Sequence, residues 1–262
     1  ELSKAAFQGV LDGYNTLDAI AALVFATLIV NSVKEIGFTD PKAISSQVMK
    51  SGMLAGLLLA LVYIFIAKIG AESVAAIGMQ DTGAPVLAES AKVFFGSFGA
   101  YLLAAIVLLA CITTAVGLLT CCAAFFMQLT GKFTYVQWCS GFTVIAYLIG
   151  LFGLKTIIVS TIPVLMFIYP LCVALIALIF LHKFFGGRQC VYAWTMGFTF
   201  VMALVNGAET AGISMTGLEE VLKAYVPLHT YGMGWIPFAI VGFVIGLIWK
   251  VAVPAKAQNA AA

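Results

Sequence analysis

The sequence predicts an all-α, polytopic membrane protein, and three observations carry that prediction. Hydrophobic residues make up 63% of the 262-residue chain and charged residues 9%, against roughly 45–50% and about 25% in soluble domains. Apolar runs of spanning length recur from one end to the other. Most charged residues fall near or between the ends of those runs. A surface with so little charge cannot face water all round, and a net charge of +2 gives no reason to invoke nucleic acid as a partner.

A spanning helix needs about 20 mostly apolar residues, because each residue rises about 1.5 Å through a hydrocarbon core about 30 Å thick. Seven segments meet this expectation: 16–36, 47–70, 97–129, 133–152, 155–182, 190–206 and 232–250. The third and fifth are long enough to tilt or to extend into water. A further short helix is expected before the first, from about Leu2 to Asp12. The loops at 71–96 and 208–231 are long. The first offers Pro85 at the start of a short helix that runs to Phe95. The whole is expected to form a single transmembrane domain, 1–262. The chain opens at Glu1 without an initiator Met, and its first apolar stretch begins almost at once, so a C-terminal fragment of a longer chain is expected.

Charge sets a direction. If the first span runs inward, the inner side holds Lys34, Lys42, Lys50, Lys132, Lys183, Arg188, Lys250 and Lys256. The outer side then holds Lys4, Lys68, Lys92, Lys155 and Lys223. Basic residues concentrate on the cytoplasmic side of membrane proteins, which places the C-terminus there. Trp138, Trp194, Trp235 and Trp249 all sit near span ends, where amphipathic rings favour the headgroup level.

The segment Gly9-Val10-Leu11-Asp12-Gly13-Tyr14-Asn15-Thr16-Leu17-Asp18 brings two acids into or beside a span. A membrane-centre Asp costs roughly 2.5–3.5 kcal/mol on insertion scales, and Gly, Asn and Thr are poor interior helix residues. One reading is a broken helix, its first half ending near Asp12 and its second beginning near Thr16. Such a break exposes a positive helix N-terminus, suited to a carboxylate, and unpaired carbonyls, suited to an ammonium group or a metal cation. The other reading is plain capping: Asn15 caps the first span, Asp18 is an acid in its first turn, and the residues before are an amphipathic lead-in.

A second constellation is Ala110-Cys111-Ile112-Thr113-Thr114-Ala115-Val116-Gly117. Thr113 and Ala110 are one turn apart, so a hydroxyl and a carbonyl can face one point, and hard cations prefer such oxygens. Alternatively the hydroxyls bond back to preceding carbonyls and aid helix packing. Pro163 and Pro170 can kink the fifth span. Gly52, Gly56, Gly99, Gly117 and Gly242 are read as close-packing positions. The six cysteines are read as small packing residues, since the adjacent pair Cys121-Cys122 suits neither a disulfide framework nor a zinc site. His182 and His229 have no partner at metal-ligand or catalytic spacing, and no nucleophile motif, phosphate loop or haem pair occurs. No enzyme and no cofactor are therefore expected.

At these two segments the chain resembles the branched-chain amino acid:cation symporters, the BrnQ-type carriers. Gly13-Tyr14-Asn15-Thr16-Leu17-Asp18 looks like their Gly-Tyr-x-Thr-x-Asp segment, and Cys111-Ile112-Thr113-Thr114 like their Cys-x-Thr-Thr segment. Asp12 stands where relatives look to have Glu. The resemblance implies a LeuT-like inverted-repeat fold of about twelve spans. This chain would hold spans six to twelve of it, the second repeat plus two extra helices. The missing N-terminal spans would complete the site. It further implies a secondary transporter of the bacterial cytoplasmic (inner) membrane that imports Leu, Ile or Val with Na⁺ or H⁺. Gly13, Tyr14, Asn15, Thr16 and Asp18 would bind substrate, and Ala110, Thr113 and Thr114 would form part of a Na⁺ site. Two readings from other classes are a non-transporting membrane subunit of a larger complex and a channel. The spans lack the continuous polar stripe a channel would need.

Overall fold

Every regular element in the computed structural model is helical among the residues it describes: 2–80, 83–213, 216–226 and 228–252. In chain order these are α1 (Leu2–Asn15), α2 (Asp18–Glu35), α3 (Pro41–Ile77), α4 (Gly83–Thr130) and α5 (Tyr135–Gly150). There follow α6 (Leu154–Phe185), α7 (Gln189–Thr210), α8 (Thr216–Tyr225), a 3₁₀ turn (His229–Tyr231) and α9 (Trp235–Ala252). The chain falls into two units, Val24–Val144 and the remainder.

In the Val24–Val144 unit, α3 packs on α4. Asp40 starts α3 by accepting a hydrogen bond from the Ala43 N–H at 3.1 Å, with Pro41 in the first helical position. At 37 residues α3 is longer than a bilayer requires. In α4 the expected short helix before the third span is present, because the backbone breaks at Gly96 (φ 62°, ψ −150°). The most apolar stretches of α3 and α4 bury 0% of their residues. Leu57, Phe65 and Leu109 are 69%, 57% and 63% exposed, as suits helices that face hydrocarbon.

In the other unit α7 is central, flanked by α6 and α9. Close approach explains the glycines on α9. A Cβ at Gly242 would lie 2.7 Å from the Trp194 carbonyl, and one at Gly246 would lie 2.8 Å from the Val191 Cα. Small residues one turn apart let two membrane helices meet backbone to backbone. Gly207 of α7 does the same against Phe167 and Pro163 of α6. Thr195 and Thr199, both buried, return their hydroxyls to the Val191 and Thr195 carbonyls at 2.8 Å. Two apolar clusters fill the layer: Ala174, Met202, Leu222 and Trp235, and Leu178, Phe185, Cys190 and Val191. Helix α6 runs unbroken through Pro163 and Pro170 for 32 residues. It stops at Gly186, whose left-handed backbone lets its N–H reach the His182 carbonyl.

Two expectations change. Among the described residues, five helices are long and apolar enough to cross a membrane, and six crossings result if α1 and α2 form one bent span. The fourth expected span, 133–152, is realised as α5, whose 16 residues cover only about 24 Å at 1.5 Å per residue. Of the glycines read as packing positions, Gly117 meets the Phe25 ring, whereas Gly52 and Gly56 have no neighbour within 4 Å. Trp235 opens α9, at a span end as expected, and is 6% exposed in the core.

Candidate functional site

Helices α1 and α2 meet at 45°, and Thr16 and Leu17 form the break. It falls later than the residue types indicate. Gly13, Tyr14 and Asn15 complete the last turn of α1, so Asn15 closes one helix instead of capping the next. The exit is built from side chain and strained backbone together. The Thr16 hydroxyl lies 2.8 Å from the Gly13 carbonyl and 3.0 Å from an Asp18 carboxylate oxygen. Its single proton serves one of them at a time. Leu17 takes a left-handed conformation (φ 61°), which costs an L side chain about 1–2 kcal/mol. Asp18 then stands in the first turn of α2, where the helix dipole favours a negative charge.

Tyr14 fixes this break to the rest of its unit. Its hydroxyl accepts a hydrogen bond from the Trp235 indole N–H at 2.9 Å, and its ring meets Tyr169 edge-on with centroids 4.7 Å apart. The Tyr169 hydroxyl in turn faces the Ala19 backbone and the Asp18 carboxylate. Three helices, α1, α6 and α9, thus supply the aromatic wall beside the break. Nothing in the sequence pointed to Tyr169, and Trp235 was legible only as a ring near a span end.

Ala110, Thr113 and Thr114 belong to the other unit, on α4. The Thr113 hydroxyl lies 3.0 Å from the Leu109 carbonyl and 3.0 Å from the Ala110 carbonyl. That geometry is the back-bonding reading of the sequence. The hydroxyl bonds back along its own helix, and it brings the Ala110 carbonyl oxygen beside its own. Turning the hydroxyl proton away would leave two adjacent oxygens for a hard cation, which takes about six. The donor set fits such an ion in type and is incomplete in number. The same unit holds a cavity of about 510 Å³, in the size range of small-molecule sites. Thr27, Asn31 and Glu35 line it from one face of α2, and Thr120, Cys121 and Gln128 line it from α4. None of Ala110, Thr113 and Thr114 reaches it. The four-residue spacing of Thr27, Asn31 and Glu35 was a sequence signal for this polar stripe.

Two histidines gain partners that spacing did not reveal. His182 Nδ1 lies 3.0 Å from the Tyr192 hydroxyl. His229 Nε2 lies 3.2 Å from Glu209 Oε1.

A family model described as branched-chain amino acid transport protein matches residues 2–253. The branched-chain amino acid permease BraB of Bacillus subtilis (strain 168) is 38% identical over 254 residues, covering 97% of this chain and 57% of that protein. The permease BrnQ of the same organism is 36% identical over 95% of this chain and 57% of its own length. BrnQ of Escherichia coli (strain K12) is 31% identical over 94% and 56%. The chain spans a little over half the length of these relatives. No solved structure matches it. A multi-pass chain matched almost end to end by one family model and by these permeases belongs to the branched-chain amino acid transport family, a family of carriers and not of enzymes.

Proposed function

We propose that this chain is part of a secondary carrier that imports branched-chain amino acids by symport with a cation, across a bacterial cytoplasmic membrane. The family match supports the substrate class, and the bent helix pair carries the mechanism. A helix interrupted inside a transporter turns backbone groups toward a bound ligand, with positive half-helix ends toward anionic groups and unwound carbonyls toward cations. Here the start of α2 would receive the substrate carboxylate, and the Gly13–Asp18 segment would hold its charged ends. Tyr14, Asn15 and Thr16 would line that contact. An apolar pocket separates side chains that differ by one methylene by only about 1–3 kcal/mol, so Leu, Ile and Val are all expected to serve.

Ala110, Thr113 and Thr114 would contribute oxygens to a Na⁺ site, completed by spans outside this chain in a LeuT-like inverted repeat. With α5 counted as a crossing there are seven passes. The Lys/Arg excess then puts the C-terminus in the cytoplasm. The cation gradient would drive uptake, and the bound cation would complete the substrate-ready state.

The test of the cation site uses the full-length protein in proteoliposomes. Replacing Thr113 and Thr114 together by Ala should raise the Na⁺ concentration needed for half-maximal leucine uptake at least tenfold, the equivalent of about 1.4 kcal/mol. Unchanged Na⁺ activation would remove both residues from the site.

A further inference from the structure

The turn that leads into α9 holds an ionisable pair that transport at the helix break does not use. His229 is 5% exposed as a residue and its side chain 1%, while the Glu209 side chain, at the end of α7, is 26% exposed. Nε2 of the imidazole and Oε1 of the carboxylate are 3.2 Å apart. Yet Oε1 has no aligned hydrogen bond, and Nδ1 on the far side of the ring is buried with no partner. That far side lies against Gly234, where a Cβ would come within 2.9 Å of Nδ1 and 3.2 Å of the Met202 methyl. The turn is pinned to α7 by the Asn206 amide, which donates to the Gly232 carbonyl at 3.4 Å.

Two polar atoms of this pair, one on each residue, thus lack an aligned hydrogen bond. With Glu209 ionised and the imidazole neutral, the pair carries one net negative charge. One proton from water, entering at the partly open Glu209 side, makes it net neutral, either as imidazolium and carboxylate or as imidazole and carboxylic acid. Imidazole is a common proton carrier in proteins. Helix α1 reaches the turn through Phe7, edge-on to Tyr231, and carries Lys4 and Asp12, both exposed. Helix α8 offers Tyr225, 82% exposed, the turn offers Tyr231, 50% exposed, and α9 opens with Trp235 and carries Lys250 only at its other end.

The pair is mechanically tied to the break. Met202 packs in one cluster with Trp235 and also borders Gly234 beside His229. Trp235 holds the Tyr14 hydroxyl at the end of α1. We infer that Glu209 and His229 form a proton-binding site whose occupancy changes when substrate binds at the helix break, which makes the proton a coupling ion. The inference rests on the transport reading above.

The test measures leucine counterflow in proteoliposomes and, separately, the pH change of a weakly buffered detergent solution of the full-length protein when leucine is added. Wild type should show counterflow and a leucine-dependent alkalinisation. Glu209→Gln and His229→Gln, monodisperse and melting like wild type, should lose the alkalinisation. If both variants still alkalinise, or if wild type shows counterflow without alkalinisation, the proton site is overturned and transport stands. Absence of counterflow in wild type removes the transport reading itself, and with it the coupling. Should either variant fail to fold, Glu209→Asp is read instead. It should keep the alkalinisation with a displaced pH midpoint, and an unmoved midpoint overturns the assignment.

Discussion

Tyr14 and Trp235 stand 221 positions apart and share one hydrogen bond, which ties the end of α1 to the start of α9. Removing the hydroxyl with Tyr14→Phe leaves a buried indole N–H without a partner, at a cost of about 1–3 kcal/mol. The same change in a Trp235→Phe background should cost markedly less, and thermal unfolding in detergent reads the difference. Strictly additive losses would mean that the bond contributes nothing. The sequence made the region of the break legible, because Gly, Asn and Thr beside two acids are poor material for a buried helix. It misplaced the break by several residues. Gln8 bonds Asp12 at 3.0 Å, and Tyr14 packs on Tyr169 and Trp235, so tertiary contacts carry α1 through Gly13 to Asn15. The positive φ then falls on Leu17, a residue type that gives no warning of it.

Helix pairing follows from where backbones can touch. Position 246 of α9 faces the Val191 Cα of α7 at a distance no real Cβ tolerates, so Gly246→Val must push α9 off α7. Overpacking of that kind costs about 1–3 kcal/mol, and the melting temperature should fall accordingly. Gly52→Val on α3, with open space around it, serves as the control and should leave the temperature close to wild type. Equal effects at both positions would show that helix propensity, and not packing, sets the outcome. The small-residue spacing on α9 was readable, but the partner helix was not, because the facing residues on α7 (Trp194, Thr195 and Val191) carry no complementary pattern. Hydropathy located the long helices well. It overstated α5, since Phe133 before the helix and Leu151 and Phe152 after it lengthened the run beyond the hydrogen-bonded helix.

For the whole molecule, composition alone made the membrane legible, and the exposed apolar faces of α3 and α4 are its structural counterpart. The family was legible only where residue types met its pattern, at Gly13 to Asp18 and at Ala110 to Thr114. The Glu209–His229 pair and the Trp235 contact were hidden. Each depends on a fold that brings distant helices together, or on a face whose partner the sequence does not name. The central claim is that a cation gradient drives branched-chain amino acid import through this carrier. It is tested most directly by radiolabelled leucine uptake into proteoliposomes of the full-length protein, with an imposed Na⁺ or proton gradient. Accumulation above equilibrium that collapses when the gradient is dissipated, and that unlabelled Ile and Val compete away, is the predicted result. Uptake that neither gradient changes would contradict it.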